Sequence, residues 1–421
     1  MTLFDRSAPV LVTCPRGATE YLSRELAALG FSSGAQHPAA VETSATLRQC
    51  MRMNLHLRTA LRVQYTLLSF RAVDADEVYA AVRALPWEEW IAPDGYLTID
   101  SYVTANDNIR DSRFANVRVK DAVCDRMRAV CGKRPDSGPD ATGIVLFLHW
   151  AGDACTLYLD TSGQPLNRRG YRKLPCRAPM QETLASAAIL AAGWQGNSHF
   201  VNPMCGSGTL AIEAALIALN SAPGLMRSNF GFMHVPEYAP AEWDALLDEA
   251  ESAEVGELPL RIVATDVDRP TVEAAVLNAR AAGVERYIEF ATCDFAETVL
   301  PDVSSDVSLG VLPDVTPGMM QADRLAVDGT ARGMIIMNPP YGERLGDVAE
   351  LGPLYRGMGD FFKTRCQGWM GYVFTGNPGL GKQVGLRTRR KIPFFSARME
   401  CRLLEYELYG GTKRNGSEPA S

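Results

Sequence analysis

Over the first 165 residues, apolar positions fall in short runs that switch between an alternating period and a helical one. The pattern predicts strands near 10–14, 61–68 and 96–103, and helices over about 19–29 and 118–130. A strand pair at 143–150 and 154–159 closes this part. Mixed α+β of this kind makes a module able to bind, and it contains no catalytic constellation. From residue 200 the order becomes strand, turn, helix, repeated. The strand before residue 202 leads to a helical run at 211–219, and a β-branched strand at 261–268 leads to a helix at about 270–282. Further strands are predicted at 287–292 and 334–337. That alternation predicts an α/β, doubly wound parallel sheet. Residues 164–179 are rich in Pro and Arg and lack apolar periodicity, which reads as a linker. The stretch 300–332, with Pro301, Pro313 and Pro317, is longer than most such connections and predicts an insertion, either a mobile surface loop or a lid.

Candidate chemistry gathers at the predicted strand ends. After Met334-Ile335-Ile336-Met337 comes Asn338-Pro339-Pro340-Tyr341. The Asn338 side-chain oxygen and the Pro339 carbonyl can accept hydrogen bonds from a planar amine, freeing a lone pair otherwise delocalised into a nucleobase ring. The two prolines stiffen the loop, and Tyr341 offers a stacking face. Upstream, Asn202-Pro203-Met204-Cys205-Gly206-Ser207-Gly208-Thr209 places a Gly-x-Gly turn between strand and helix, exposing backbone N–H groups and a helix N-terminus to a ligand. It lacks the third glycine of a dinucleotide fingerprint and the Gly-Lys-Ser/Thr of a P-loop. Asp266, at the end of the next strand, is placed to hold a ribose diol, and Asp294, followed by Phe295, to accept from an adenine amine. Each acid alone is an ordinary loop or capping carboxylate. Their succession at consecutive strand ends is not.

This succession resembles the class I S-adenosylmethionine-dependent methyltransferases that act on amino groups. More closely, the runs 55–63, 167–172, 338–345 and 401–408 resemble the bacterial 23S rRNA guanine-N2 methyltransferase family called RlmL. The resemblance spans about residues 10–408. It implies a ferredoxin-like segment at 1–47, a THUMP RNA-binding domain at 48–163, the linker at 164–179, a Rossmann-like methyltransferase domain at 180–410 and a flexible tail at 411–421. It further implies S-adenosyl-L-methionine as cofactor, held by Asn202, Pro203, Gly206, Gly208, Thr209, Asp266, Asp294 and Phe295, with Asn338, Pro339 and Tyr341 in catalysis. The family usually carries Asp where this chain has Asn202, so the acceptor is kept and a charge is lost. Some members continue into a second methyltransferase, and ending at Ser421 this chain looks like the stand-alone form. A tRNA guanine-N2 methyltransferase, a DNA adenine-N6 methyltransferase and a non-catalytic RNA-binding or ribosome-assembly protein are the alternatives. The N-terminal module argues against DNA.

Composition fits without deciding. The chain has 421 residues, 47% hydrophobic and 22% charged, enough for two or three ordinary globular domains. No apolar run is long enough to span a bilayer and no leader pattern opens the chain, so a cytoplasmic enzyme without a membrane partner is expected. Ten scattered cysteines, without C-x-x-C pairs or clustered histidines, predict neither disulfides nor a metal site. The net charge of −7 counts against an RNA partner until its distribution is considered. Two acid-free basic stretches stand out, one with Arg168, Arg169, Arg172, Lys173 and Arg177, the other with Lys382, Arg387, Arg389, Arg390 and Lys391. From these, Arg168, Arg169, Arg172, Lys173, Arg389 and Arg390 are expected to contact RNA phosphates.

Overall fold

The computed structural model describes residues 3–106, 109, 111–174, 179–301, 333–342, 347–397 and 399–409. The expected insertion at 300–332 and the tail at 411–421 lie almost wholly outside them.

The N-terminal part runs β1 (Ala8–Thr13), α1 (Thr19–Ala28), β2 (Gln36–His37), β3 (Ala40–Ala45), α2 (Leu47–His56), β4 (Arg62–Arg71), α3 (Ala75–Arg83) and α4 (Trp87–Trp90). It continues through β5 (Tyr96–Thr104), α5 (Ser112–Cys131), β6 (Asp136–Ser137), β7 (Ile144–Ala151) and β8 (Ala154–Asp160). All eight strands form one sheet in the order β2-β3-β1-β4-β8-β7-β5-β6. The expected boundary between residues 47 and 48 falls at the start of α2, and β4 pairs antiparallel with both β1 and β8, so the sheet runs through both halves unbroken. Helix α2 starts where a capping box forms: Gln49 N–H donates to Thr46 Oγ1 (3.2 Å) and Thr46 N–H to Gln49 Oε1 (2.9 Å). Helix α5 begins six residues earlier than the periodicity predicts, because Asp111 accepts from Arg113 N and caps it there.

The second part follows as α6 (Glu182–Ala191), β9 (His199–Pro203), α7 (Thr209–Ala218), α8 (Pro240–Ser252), β10 (Ile262–Asp266), α9 (Arg269–Ala281), β11 (Ile288–Thr292) and β12 (Gly333–Met337). It ends with α10 (Asp347–Arg365), β13 (Trp369–Thr375), α11 (Pro378–Gln383), β14 (Arg390–Ser396) and β15 (Met399–Leu408). The seven strands order as β11-β10-β9-β12-β13-β15-β14. The first five are parallel, and β15 and β14 add antiparallel at one edge. Strand β12 is buried at all five positions and β13 at all seven, as expected of a sheet covered on both faces.

A buried joint connects the two parts. Arg169, 1% exposed, donates to the carbonyl oxygens of Leu166 and Arg58 and forms an ion pair with Glu213 of α7. Tyr171 Oη donates to Glu213 Oε1 (3.0 Å) and Ser186 Oγ to Oε2 (2.6 Å). On the other side of Arg58, its backbone N–H and that of Thr59 donate to the buried Glu25 carboxylate. Nearby, Phe395 N–H donates to Arg16 O (3.1 Å), and Tyr21 of α1 stacks on Phe394 of β14 at 6.1 Å.

Candidate active site

The carboxyl ends of β10, β9 and β12 bring the expected residues side by side. After β9, Met204 (φ 57°), Gly206 (φ 56°) and Gly208 (φ 82°) all adopt left-handed backbone, which folds the turn back over the sheet end. A Cβ on Gly208 would lie 3.0 Å from the Ala275 Cβ of α9, whereas a Cβ on Gly206 would meet nothing within 4 Å. Gly208 therefore lets the turn pack against α9, and the turn at Gly206 faces open space. Asp266 ties the turn to β10: its Oδ2 accepts from Gly206 N (3.0 Å) and its Oδ1 from Asp268 N (3.1 Å). A carboxylate has about four acceptor positions, so two remain, which suits a vicinal diol. Asp294 is exposed two residues beyond β11, where it caps a short turn by accepting from Ala296 N (2.9 Å). Phe295 meets Phe361 edge-on at 6.0 Å.

Asn202 is fully buried, and its amide is tied into the sheet. Its Nδ2 donates to the carbonyl of Ile336 on β12 at 2.9 Å, a contact that fixes the amide orientation because only the nitrogen can face a carbonyl oxygen. Its Oδ1 is buried without a hydrogen-bond partner. The amide thus extends the β9–β12 ladder by one side-chain bond, at the level where the chain turns into Asn338.

Asn338 is partly buried, and its Oδ1 is likewise buried and unpartnered. Leaving such an acceptor unmade costs about 1–3 kcal/mol. The loop that carries it is braced from behind. Tyr355 of α10 donates its hydroxyl to Pro340 O (3.3 Å) and shares a second bond with Thr375 Oγ1 of β13 (3.0 Å), which in turn accepts from Asn377 N (3.1 Å). Burial pushes the Tyr355 phenol up to about 12, so it stays a donor. Pro339 is buried and Pro340 exposed. The Tyr341 ring packs on Gly376, where an added Cβ would come within 3.1 Å of it. Periodicity and motif gave no hint of Tyr355 or Thr375, since neither belongs to a local pattern.

Adjacent strands lie about 4.8 Å apart, so Asp266 at the end of β10 and Asn338 just after β12, with β9 between, are separated by roughly 10 Å across the glycine turn. Asp294, one strand further out, is at roughly 14 Å. The diol-suited acid and the amine-suited amide therefore stand on opposite sides of the turn, as an elongated nucleoside with a reactive end requires. The chain's donors and acceptors fit S-adenosylmethionine. Among the described residues no cluster of His, Cys, Asp and Glu has the arrangement of a metal site.

The basic residues separate into two groups. Arg168 and Lys173 are exposed. Arg169 is not available to a phosphate, because it lies buried in the joint. Arg172 is only 17% exposed at its side chain and faces inward: Nε pairs with Glu182 (2.9 Å), Nη1 donates to Ser207 Oγ (3.3 Å), and Nη2 to Thr209 Oγ1 (3.2 Å) and Met180 O (2.8 Å). It braces the glycine turn instead of reaching RNA. Burial raises the Glu182 carboxyl while Arg172 pulls it back. Asn278, also missed, assists: its amide joins Ser207 O (3.2 Å) to the backbone of Lys173 and Leu174. Arg389 and Arg390 both pair with Glu405, which is 2% exposed at its side chain. Much of their charge is answered within the fold.

A model of the UPF0020 family, described as an RMKL-like methyltransferase domain, matches residues 169–313 and 306–405. An RlmL ferredoxin-like domain matches 10–64 and a THUMP domain 72–160. Among curated proteins, the chain is 39% identical over 410 residues to a ribosomal RNA large subunit methyltransferase K/L of Syntrophotalea carbinolica, covering 95% of this chain and 54% of that protein. It spans about half the length of this and several similar relatives. A putative RNA methyltransferase of Synechocystis is 32% identical, with 95% of this chain and 97% of that one covered. Among solved structures, a putative methyltransferase complexed with SAH superposes with a TM-score of 0.80 at 25% identity, covering 97% of this chain and all of that one. A possible methylase from Clostridium difficile superposes at 0.81 and 26% identity, with the same coverage. With the glycine turn, the two acids and Asn338-Pro339-Pro340-Tyr341 at one sheet edge, behind ferredoxin-like and THUMP domains, the chain belongs to the RMKL-like methyltransferase family.

Proposed function

We propose that this protein transfers a methyl group from S-adenosylmethionine to the exocyclic N2 amine of a guanine in 23S rRNA. The observation that carries the reading is the unpartnered Asn338 Oδ1, held beside Tyr341 and across β9 from the Asp266-braced turn. The bound cofactor supplies an electrophilic methyl on a sulfonium. Asp266 and the Gly206 turn hold the ribose, and Asp294 accepts from the adenine amine. Tyr341 stacks on the extruded base. Asn338 Oδ1 and the Pro339 carbonyl accept from the two amine protons, turning the nitrogen lone pair toward the methyl. No strong base is required: the sulfonium sulfur would leave as a neutral thioether, the alkylated amine, now acidic, loses its proton to solvent, and preorganised acceptors provide most of the catalysis. The N-terminal module, with the exposed Arg168 and Lys173, holds the RNA. The substrate places the enzyme in the cytoplasm, and no helix of the described residues is long and apolar enough to cross a membrane.

The test is single-turnover methyl transfer to rRNA from cells lacking the protein, with the methylated nucleoside identified by mass spectrometry. Asn338→Ala is expected to slow transfer by about 10²–10³-fold with cofactor and RNA still bound. A rate within a few-fold of the unaltered protein would overturn the mechanism, and methylated guanine in tRNA alone would move the substrate to tRNA.

A further inference from the structure

Beyond the Tyr341 ring lies a groove of about 490 Å³ between α11 and the β14–β15 hairpin. That volume falls within the roughly 300–1,000 Å³ typical of small-ligand sites. Antiparallel register puts Lys391 opposite Leu404 and Leu404 beside Val373, while Arg402 stands beside Thr375, so these side chains share one face of the sheet edge. Helix α11 roofs this face closely, since an added Cβ on Gly381 would be 2.8 Å from Leu404 Cδ1. The groove opens where Lys382 of α11 and Lys391 of β14 stand exposed. Neither lysine has a carboxylate partner among the described residues. Arg402 is paired with Glu400 (2.9 Å), which leaves a net positive charge along the groove. Leu386, Leu404 and Met399 give it apolar walls. Gly376, against which the Tyr341 ring packs, also lines the groove, and so does Met399, whose Sδ would lie 2.5 Å from a Cβ on Gly376. Groove and base site thus share one wall.

We propose that this groove holds the nucleotide adjacent to the target base in the RNA strand, its phosphate between Lys382 and Lys391 and its base against Leu386, Leu404 and Met399. The proposal rests on the reading of Asn338 and Tyr341 as the site of RNA methylation. A cationic mouth over an apolar wall is the chemistry of single-stranded nucleic-acid binding, where backbone charge and base faces are held together. Continuity with Tyr341 selects the neighbouring nucleotide over a separate ligand. The second basic stretch therefore works through Lys382 and Lys391, the two lysines left unpaired, and not through Arg389 and Arg390.

The experiment uses the full chain and unmodified rRNA. Lys382→Glu with Lys391→Glu is expected to weaken RNA binding about tenfold or more and to reduce the slope of log affinity against log salt by about 0.7, from one phosphate of a single strand no longer neutralised. S-adenosylmethionine affinity should not change. A photoreactive benzoylphenylalanine replacing Thr388 should cross-link within about two nucleotides of the methylated base. Normal methylation with an unchanged salt slope, or cross-links only at distant positions, would overturn the groove assignment alone. Failure of the unaltered protein to methylate any RNA would overturn the functional reading as well.

Discussion

Arg172 offers the sharpest test of how the site is assembled, because sequence and structure assign it opposite roles. Alanine would leave Glu182, 7% exposed, without its cation, a change that costs about 3–5 kcal/mol and risks the fold. Lysine is the better probe. Arg172→Lys keeps a positive charge for Glu182, but one ammonium cannot reproduce a planar fork that meets Glu182, Met180 O, Ser207 Oγ and Thr209 Oγ1 together. The two bonds to the turn are long, at 3.3 and 3.2 Å, so each is worth the lower part of the usual range. Their joint loss should cost about 1–2 kcal/mol in turn order. If only the ordered turn binds cofactor, the dissociation constant rises by roughly 5–30-fold. Calorimetric titration with S-adenosylmethionine measures this directly, and filter binding over a salt series measures RNA affinity in parallel. The expected pattern is weaker cofactor binding with an unchanged RNA salt slope. A cofactor constant within twofold of the unaltered protein, together with a flattened salt slope, would refute the bracing role and return Arg172 to the RNA surface.

Tyr355→Phe removes the donor to Pro340 O, and single-turnover transfer should fall about tenfold as the loop loses one fixing bond; a rate within twofold would show that the prolines alone hold it. Asn202→Asp, which sequence comparison alone would favour, replaces a donor with an oxygen facing Ile336 O, so the cofactor-free protein should lose about 1–3 kcal/mol, read from the urea midpoint. An unchanged midpoint would mean that the strand-bridging bond is dispensable. His56 sets a pH dependence: burial first, then repulsion by Arg52 and Arg58, pushes it down to about 4, against attraction from Glu249. The folded protein keeps it neutral while the unfolded chain protonates near 6.5, so this contribution is present above pH 6.5 and is lost progressively toward pH 4, up to about 3 kcal/mol. His56→Gln should flatten the fall in urea stability between those limits; an unaltered slope would assign the fall to other groups.

The strand-end residues were legible because sheet topology makes them so. Once the parallel order is recognised, Gly206, Asp266, Asp294 and Asn338 must share an edge. The basic residues were not legible, because a run of charge along the chain says nothing about which way each side chain turns. Arg169 and Arg172 are one turn of loop from the exposed Arg168, yet their partners, Glu213 and Glu182, come from helices packed behind. One signal was available. Glu213 is the only charged residue in Thr209–Ala218, and a lone acid in an otherwise apolar helix calls for a buried cation. Tyr355, Thr375 and Asn278 left no such trace, since each acts across the fold on a backbone it meets only after packing. Pairing of Arg389 and Arg390 with Glu405 likewise depends on the β14–β15 register, which neither strand's own pattern fixes.

The joint at Arg169 also decides where this chain can be cut. A fragment beginning near residue 180 would keep Glu213 fully buried while losing both Arg169 and Tyr171, and it would strip Tyr21 from Phe394 and the Arg16 carbonyl from the outer strand of the sheet. An interior carboxylate without its cation favours unfolding over a working half-enzyme. The catalytic half is therefore no interchangeable cassette, and recombination between relatives would have to carry the loop through Tyr171 together with the helix that bears Glu213.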